Sequence, residues 1–468
     1  MAGIISYGAY IPFNRLQRAT ISAALESRPG SGERSVASYD EDTITMAVEA
    51  ARAARHGRED VPIQSLYLAT TAPPYQEKLN SAIVHAALDL PASMRALDVT
   101  GSVGAGLGTL FAAAEGVAAG NRLVAMSDIR IGAPEGAVEQ SGGDGAVAFI
   151  LGTDNVIAEI EATYSETLTH QGMWRLPGEK FSKIWEERFT LSQIYSPLLN
   201  SGGKNVLEKA GLTMSDISAV VVDSPNPRAV GNVAKALGIE PGKMVDGMQA
   251  TVGHTGAAYA GLMIADALDK AKPGDRVLVL SVSDGVDAAI LKATDAIADY
   301  KNVQTVAAQI ESKRNDLGYT RYLKWRGILE AERPRRPDPA RPAAPPVFRA
   351  RHWKFSFVGN ECTECGARHL PPQKVCVKCG AVDKMKELPF SGRRGNVATY
   401  TLDHLAYTLQ PPMVMAMIDF EGGGRVELEV TDCEPDKVDI GMELEMTFRR
   451  FWTADGVHNY FWKARPVR

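Results

Sequence analysis

Apolar runs alternate with helical stretches along the first 300 residues of the chain. Short β-branched runs such as 218–223 and 276–283 have the composition of strands that are buried on both faces of a parallel sheet. Residues 42–57 are typical of a helix, and 106–120 are rich in small residues throughout, as in a helix buried between layers. This alternation of strands and helices predicts an α/β layered fold.

The pattern changes towards the C-terminus. Residues 301–350 begin with an amphipathic helical segment and continue into a stretch rich in Pro and Arg, which is typical of an extended linker because Pro cannot continue a helix. Residues 390–468 alternate apolar and polar positions in short runs broken by Gly and Pro, and this predicts a small β-barrel. The basic segment 333–337 could be a solvated part of the linker or a phosphate contact.

Composition indicates a globular protein of more than one domain. A chain of 468 residues is too long for one core of ordinary size, and 45% hydrophobic and 23% charged residues are usual proportions. We find no apolar run of the roughly 18 residues that cross a membrane, and the first residues have the pattern of a strand, not of a signal peptide. The net charge of −5 argues against a general nucleic-acid binder. We therefore expect a cytoplasmic protein that does not span a membrane.

The cysteines predict a metal site in the C-terminal part of the chain. Cys362 and Cys365 form one C-x2-C pair, and Cys376 and Cys379 form a second after ten residues. Two thiolates at this spacing reach one cation from a tight turn, and two such pairs complete a tetrahedral S4 site. Four thiolates leave no open coordination position, so we expect a structural zinc ribbon. The fifth cysteine, Cys433, is expected to be an ordinary half-buried thiol.

Several segments carry a family pattern: DEDTITMAVEAA (40–51), PPYQEKLNSA (73–82), SGGDGAVAFILG (141–152), 173–195 and 252–285. Together they resemble the thiolase superfamily, in particular its 3-hydroxy-3-methylglutaryl-CoA synthase-like branch. The C-terminal part resembles the zinc-ribbon and OB-fold module that accompanies such acyl-CoA enzymes. The resemblance implies a thiolase-like layered αβαβα fold, a zinc ribbon and a small OB-like barrel, with coenzyme A as substrate or product and a homodimeric assembly.

Pattern and resemblance together predict four parts. These are a thiolase-like domain at 1–300, a helical and Pro/Arg-rich linker at 301–350, a zinc ribbon at 351–385 and an OB-fold domain at 386–468.

The catalytic positions of the synthase-like branch are all replaced in this chain. The nucleophilic Cys of the family falls on Val103, with Ser102 beside it, the general-acid Glu falls on Thr71 and the CoA-side His falls on Asp223. Residues 1–361 contain no cysteine, so the acyl-cysteine intermediate of the family cannot form. The sequence therefore argues against ordinary hydroxymethylglutaryl-CoA synthesis.

His254, Asp223 and Ser102 are the candidate catalytic residues. His254 lies in VGHTGAA, where thiolases carry a Gly-His, and in the family this side chain donates to the thioester oxygen and stabilises an enolate. The alternative is a satisfied buried His at a glycine-flanked turn. Asp223 ends an apolar strand, where it could be a general base or cap the turn that follows. Ser102 could donate a hydrogen bond, act as a weak nucleophile or serve as a turn residue.

The resemblance also indicates candidate substrate-binding residues. Asn226 matches a family Asn that orients pocket groups, although Asn is also common in Pro-flanked turns. Trp174, Trp185 and Tyr195 lie in the insertion that covers the acyl pocket in relatives, where they could accept a bulky or aryl acyl group or form the core of the insertion. The candidate substrate-binding set is Thr71, Val103, Asn226 and Trp174.

These observations predict an enzyme that makes or breaks a carbon–carbon bond on an acyl-CoA without an acyl-cysteine. In an aldol-type version, Asp223 deprotonates a β-hydroxyl, and in a Claisen-type version, CoA or water attacks a β-keto carbonyl. Both versions use His254. The main alternative is a catalytically silent scaffold that binds CoA substrates for a partner enzyme. A weaker one is a barrel that binds single-stranded nucleic acid through the basic and aromatic segment 448–452.

Overall fold

The computed structural model describes residues 2–332, 335 and 339–468, which form two compact units. The first unit contains the chain up to Ala37 together with Glu49–Ser81 and Ala92–Tyr319. The second contains Ser38–Val48, Ala82–Pro91 and Thr320–Arg468. Four of the five residues of the basic segment 333–337 lie outside the described residues, so the expectation of a phosphate contact there stays a prediction.

The strands follow in chain order. They are β1 (Gly3–Tyr10), β2 (Asn14–Gln17), β3 (Glu33–Val36), β4 (Ser65–Thr70), β5 (Arg95–Thr100), β6 (Arg122–Asp128), β7 (Gly145–Gly152), β8 (Ala158–Thr167), β9 (Met173–Trp174), β10 (Lys183–Ile184), β11 (Ala219–Asp223), β12 (Arg276–Ser283), β13 (Gly285–Ala293), β14 (Val358–Cys362), β15 (Arg368–His369), β16 (Met385–Pro389), β17 (Gly395–Asp403), β18 (Met413–Phe420), β19 (Arg425–Val430), β20 (Glu443–Ala454) and β21 (Val457–Pro466).

The α-helices are fewer and mostly short. They are α1 (Arg18–Ala24), α2 (Thr43–Arg55), α3 (Ser81–Ala87), α4 (Ala105–Glu115), α5 (Ala137–Ser141), α6 (Glu187–Phe189), α7 (Ser196–Ala210), α8 (Pro227–Leu237), α9 (Tyr259–Lys270), α10 (Val306–Glu311), α11 (Tyr319–Trp325) and α12 (Ala344–Arg349).

A nine-stranded mixed sheet organises the first unit, in the order β11-β12-β13-β8-β1-β7-β6-β4-β5. The parallel pairs lie towards the two edges: β4 pairs with β5 and with β6, and β11 pairs with β12. Antiparallel strands fill the middle. The two β-branched runs that the sequence indicated as parallel strands are β11 and β12, so that prediction is confirmed.

Alternate residues of β11 and β12 enter two different cores, because successive side chains of a strand point to opposite faces of the sheet. Val221 and Val279 belong to a core that includes residues of α4 and α9. Val220 and Leu280 belong to a second core with residues of α7 and α8. The sheet is therefore covered by helices on both faces, and the layered thiolase-like architecture is confirmed.

Two glycines at the start of α4 bring this helix close to other segments. A Cβ atom at Gly106 would lie 1.9 Å from the carbonyl oxygen of Ala257, and one at Gly104 would lie 2.3 Å from Ser283 Oγ. Any side chain larger than hydrogen would separate these segments. The start of α4 therefore lies directly against the end of β12 and the turn that precedes α9.

In the second unit, β17-β18-β19-β21-β20 form a closed barrel, and β15-β14-β16 form a small separate sheet. The predicted OB-like barrel is thus confirmed. Its interior contains Trp462 and Phe448, both fully buried. The first two residues of the basic and aromatic segment 448–452, Phe448 and Arg449, are inside the unit and not on its surface.

A buried network of charges joins the barrel to the acidic segment Ser38–Val48 of the same unit. Arg449 lies 2.6 Å from Glu41 and 2.5 Å from Asp432, and Lys463 lies 2.9 Å from Asp40. These ion pairs are shielded from solvent, so each cation depends on its carboxylate partners.

In the described part of the chain, no helix is both long and apolar enough to cross a bilayer.

Candidate active site

A cleft with about 700 Å³ of empty space opens to solvent in the first unit. Its lining comes from the carboxyl ends of parallel strands: Thr71 follows β4, residues 101–103 follow β5, and Arg130 follows β6. Ser283 and Asp284 lie at the end of β12. Side chains that follow the carboxyl ends of parallel strands meet at one edge of a sheet, which is where α/β proteins place their ligands. The remaining lining residues are His170, Met173, Trp174, Arg175, Ser182, Tyr195 and Pro225.

At one side of the cleft, Thr71 forms hydrogen bonds with a buried carboxylate, Asp128, and a buried guanidinium, Arg130. Its Oγ1 donates to the Asp128 carboxylate, whose oxygens lie at 2.8 and 2.9 Å, and accepts a hydrogen bond of 3.0 Å from Arg130 Nη1. Asp128 also accepts the backbone N–H of Ala257 at 3.0 Å. Burial raises the pKa of Asp128, although Arg130 and these hydrogen bonds oppose the rise. Burial likewise lowers the pKa of the Arg130 guanidinium.

A second guanidinium reaches the same residue. Arg175, which is exposed, donates from Nη2 to the carbonyl oxygen of Thr71 at 2.8 Å. Arg130 in turn has its Nη2 atom 3.0 Å from Met173 Sδ. Thr71 is thus held by side chain and backbone between two cations.

Ser102 has a carboxylate partner that its sequence neighbours do not suggest. Its Oγ donates to Asp284 Oδ2 at 2.6 Å and accepts a longer bond of 3.3 Å from the backbone N–H of Gly104. Val103, onto which the resemblance places the family nucleophile, lines the cleft next to Ser102. The cleft therefore presents a Ser–Asp pair beside an apolar side chain.

His254 and Asp223 form a buried pair that is not part of the cleft lining. Gly256 donates its backbone N–H to His254 Nδ1 at 3.1 Å, so the proton of the neutral ring is on Nε2, 3.0 Å from Asp223 Oδ1. Asp223 Oδ2 accepts from Ser281 Oγ at 2.8 Å. The imidazole also stacks on Tyr259 with 4.3 Å between ring centroids. Two predicted catalytic residues are thus in direct contact, and their roles remain predictions.

The other two predicted substrate-binding residues lie in different surroundings. Asn226 caps α8 by accepting the backbone N–H of Arg228 at 3.0 Å. It lines a neighbouring cavity of about 280 Å³ of empty space, and not the main cleft. Trp174 does line the cleft, and it packs edge-on against Trp185 at 6.5 Å. Tyr195 borders both cavities, and burial raises the pKa of its hydroxyl to about 12.

Comparison with known proteins connects this arrangement to a family. The model of the 3-oxoacyl-[acyl-carrier-protein (ACP)] synthase III C-terminal domain matches residues 207–293, and that of the ChsH2 C-terminal OB-fold domain matches residues 389–449. A hydroxymethylglutaryl-CoA synthase from Methanosphaera stadtmanae is 32% identical over 345 residues, which covers 70% of this chain and 99% of the relative. One from Pyrobaculum calidifontis is 34% identical over 345 residues, with 70% and 98% covered. The chain belongs to the hydroxymethylglutaryl-CoA synthase family.

A solved synthase structure has the same fold as the first part of this chain. A crystal structure of hydroxymethylglutaryl-CoA synthase complexed with CoA aligns with a TM-score of 0.60 and 17% identity, and the alignment covers 69% of this chain and 89% of that one. The predicted resemblance to this branch of the thiolase superfamily, with a C-terminal OB-fold domain, is therefore confirmed. So is the assignment to a family of enzymes.

In the second unit of the synthase-family chain, the four predicted cysteines come together. Their sulfur atoms all lie within 4.8 Å of one another. Gly366 and Gly380, which directly follow the second cysteine of each pair, have φ angles of +71° and +76°, a conformation that favours glycine. Backbone N–H groups of the second knuckle lower the pKa of Cys376 to about 5, whereas hydrogen bonds among the sulfur atoms raise the pKa of Cys379 to about 12. This donor set fits a tetrahedral zinc ion.

Sequence reasoning missed the three charged residues of the cleft, namely Arg130, Arg175 and Asp284. Arg130 and Asp284 each follow the end of a buried apolar strand, which is the same signal that singled out Asp223. Arg175 is next to Trp174 in the insertion, where no local pattern distinguishes it from a surface residue. Position relative to strand ends could therefore have identified two of the three.

Proposed function

We propose that this synthase-family protein makes or breaks a carbon–carbon bond on an acyl-CoA without an acyl-cysteine intermediate. The observation that carries the proposal is Val103, an apolar side chain that lines the cleft in a unit without any cysteine. Membership in the family supports aldol- or Claisen-type chemistry on acyl-CoA substrates. Both reaction types pass through an enolate, which needs stabilisation of negative charge but no thiol.

In the aldol-type version, the Asp223 carboxylate accepts the proton of a substrate β-hydroxyl. The Cα–Cβ bond then breaks, its electron pair moves into the thioester as an enolate, and a proton returned to Cα completes the reaction. His254 Nε2–H stabilises the enolate oxygen. Because this N–H now donates to Asp223 at 3.0 Å, substrate binding has to replace that hydrogen bond.

In the Claisen-type version, the thiol of CoA or a water molecule attacks a β-keto carbonyl. The Cα–Cβ bond then breaks, and its electron pair leaves as the same enolate, stabilised by the same His254 N–H. The proton released by the thiol or the water is returned to Cα. Ser102, bonded to Asp284, is suited to hold a substrate oxygen in either version. Structural zinc at the four cysteines and coenzyme A as substrate or product are parts of the same proposal.

A mass-spectrometric screen of acyl-CoA turnover tests the proposal. The panel contains β-hydroxy, β-keto and aryl β-keto thioesters, and free β-keto acids with CoA or acetyl-CoA. We expect a shortened or lengthened acyl-CoA product from the wild-type protein. The product should decrease about 100-fold or more in His254→Ala and in His254→Asn, because an oxyanion donor contributes about that much.

Two controls keep this test decisive. His56→Ala replaces an exposed histidine and should retain full turnover. Thermal unfolding of both His254 variants separates a catalytic loss from a folding defect, since His254 is buried. If CoA thioesters bind but none of the panel is turned over, the proposal is contradicted and the silent scaffold is favoured. The scaffold is a specific alternative because both ring nitrogens of His254 already have hydrogen-bond partners within the protein, Asp223 and Gly256.

A further inference from the structure

The second cysteine knuckle of the C-terminal unit carries exposed apolar side chains. Val377, between the two cysteines of this knuckle, is 83% exposed. Val375 and Val382 are 50% and 60% exposed, and an isolated antiparallel bridge joins them, so their side chains lie next to each other. Single exposed valines are common on protein surfaces, but three on one hairpin, with polar residues around them, are typical of an interaction surface.

Backbone hydrogen bonds hold this hairpin in shape. Cys376 donates its backbone N–H to the carbonyl oxygen of Ala381 at 2.9 Å, and Asp383 donates to that of Lys374 at 2.8 Å. Every residue from 371 to 380 except Cys376 is exposed, so the rest of the chain does not cover the valines. The apolar side chains are therefore presented on a preformed turn, which loses little conformational freedom when a partner binds.

Lysines surround the apolar side chains. Residues 371–386 contain four lysines and a single acid. In the described part of the chain, Lys374, Lys378 and Lys384 are exposed and form no ion pair. Residues 351–394 contain nine Lys and Arg against four acids, so this part stays positive even when four thiolates bind one zinc ion with a net charge of about −2. The surface therefore complements a negatively charged partner.

We propose that this knuckle surface, formed by Val375, Val377 and Val382 with the three lysines, docks the protein on an anionic membrane. The valines enter the headgroup region, and the ammonium groups meet anionic lipids. A protein partner fits less well, because a stable protein interface buries more than about 1,000 Å², far more than three valines supply. Nucleic acid also fits less well, because residues 371–386 contain no aromatic side chain that could stack on a base.

Vesicle flotation of the full-length protein tests this inference, which is independent of the proposed reaction. We expect the protein to float with vesicles of phosphatidylcholine and phosphatidylserine and to remain unbound with phosphatidylcholine alone. Added salt should weaken binding by screening the lysines. Lys378→Gln should weaken it about fivefold, the usual contribution of one lysine near an anionic surface. Val377→Ser should weaken it about tenfold, because an apolar side chain no longer leaves water.

Lys301→Gln and Val303→Ser are the matched controls. Lys301 and Val303 are exposed residues of the first unit, and Val303 is 54% exposed. Both variants should float like the wild-type protein. Because Val377 lies between two predicted metal ligands, metal content and unfolding temperature are measured for each variant. Val382→Ser lies outside the cysteine pair and serves as a second variant, with the same expected loss of binding.

Three outcomes would overturn the inference. The first is that the wild-type protein does not float with anionic vesicles. The second is equal flotation with anionic and neutral vesicles, which would show that the lysines take no part. The third is weaker binding in Lys378→Gln but not in the two valine variants. This last pattern would identify a surface for polyanions, such as nucleic acid or an acidic protein, and not for a membrane.

Discussion

Polar side chains of the first unit hold one another in position through partners that come from distant segments. Ser102 is bonded to Asp284, and His254 is bonded to Asp223. Such pairs fix side-chain orientation in advance, which is what stabilisation of a transient charge requires. In the buried His254–Asp223 pair, loss of one partner leaves a polar group unsatisfied, at a cost of about 1–3 kcal/mol, whereas the Ser102–Asp284 bond is exposed to solvent. Single residues of this buried pair therefore contribute to stability.

The close contact at Gly106 gives a residue-scale prediction. Gly106→Ala would bring a Cβ atom to 1.9 Å from the Ala257 carbonyl oxygen, which forces α4 and the turn after His254 apart. We expect a loss of about 1–3 kcal/mol in the free energy of unfolding, measured by urea titration.

Gly231→Ala is the matched control for this substitution. Gly231 lies exposed in α8, and a Cβ atom there would meet nothing within 4 Å. Alanine should therefore stabilise that helix by about 0.5–1 kcal/mol. Equal effects of the two substitutions would show that the contact at Gly106 is not what constrains this position.

At the scale of secondary-structure elements, patterns among neighbouring residues predicted knuckles and strands, whereas contacts between distant segments could not be predicted. The cysteine spacing and the β-branched runs at 218–223 and 276–283 indicated their structures because a knuckle and a strand depend on neighbouring residues. The partner of Ser102 is 182 residues away, and the order of strands in the sheet decides which residues meet. The contact between His254 and Asp223 was not predicted for the same reason, although both residues were singled out.

The cap of α8 gives an element-scale prediction. Asn226→Ala removes the hydrogen bond from the Arg228 backbone and should cost about 1 kcal/mol of stability. Asn226→Ser should retain most of this stability, since Ser is also a good N-cap. If both variants keep the wild-type kcat/KM once turnover is established, Asn226 serves the helix; a loss of activity in the Ser variant would indicate a contact with substrate.

At the scale of the whole molecule, neither unit is one continuous stretch of chain. The second unit includes Ser38–Val48, whose acidic residues neutralise cations inside the barrel. Asp40 forms an ion pair with Lys463, and Glu41 forms one with Arg449. The stability of this unit therefore depends on residues that precede their cationic partners by more than 400 positions.

Low pH should reduce the stability of the second unit over a defined pH range. Burial alone would raise the pKa of Asp40, but Lys463 and Arg449 more than compensate, so the pKa stands at about 2 instead of 3.8. Because the folded-state value is the lower one, the contribution is complete above about pH 4 and is lost as the pH falls towards 2. The expected change is about 2 kcal/mol.

Pulsed hydrogen exchange at a fixed labelling pH, after equilibration in urea between pH 6 and pH 2, measures this effect on the peptides of β20 and β21. Asp40→Asn should abolish this part of the pH dependence and destabilise the unit at neutral pH, because two buried cations lose a carboxylate. Asp60→Asn, at an exposed position, is the control. Unchanged acid sensitivity in Asp40→Asn would assign the effect to other carboxylates.

The acidic segment at Ser38–Val48 also has a consequence during protein synthesis. Its partner Lys463 lies on the last strand, so a nascent chain carries Asp40 and Glu41 for more than 400 residues before their cations exist. At about 5–20 residues per second, that interval lasts roughly 20 to 80 s. The barrel can therefore close only after β21 has been synthesised, and a ribosome that stalls before this strand would hold a chain whose acidic segment has not yet met its cations.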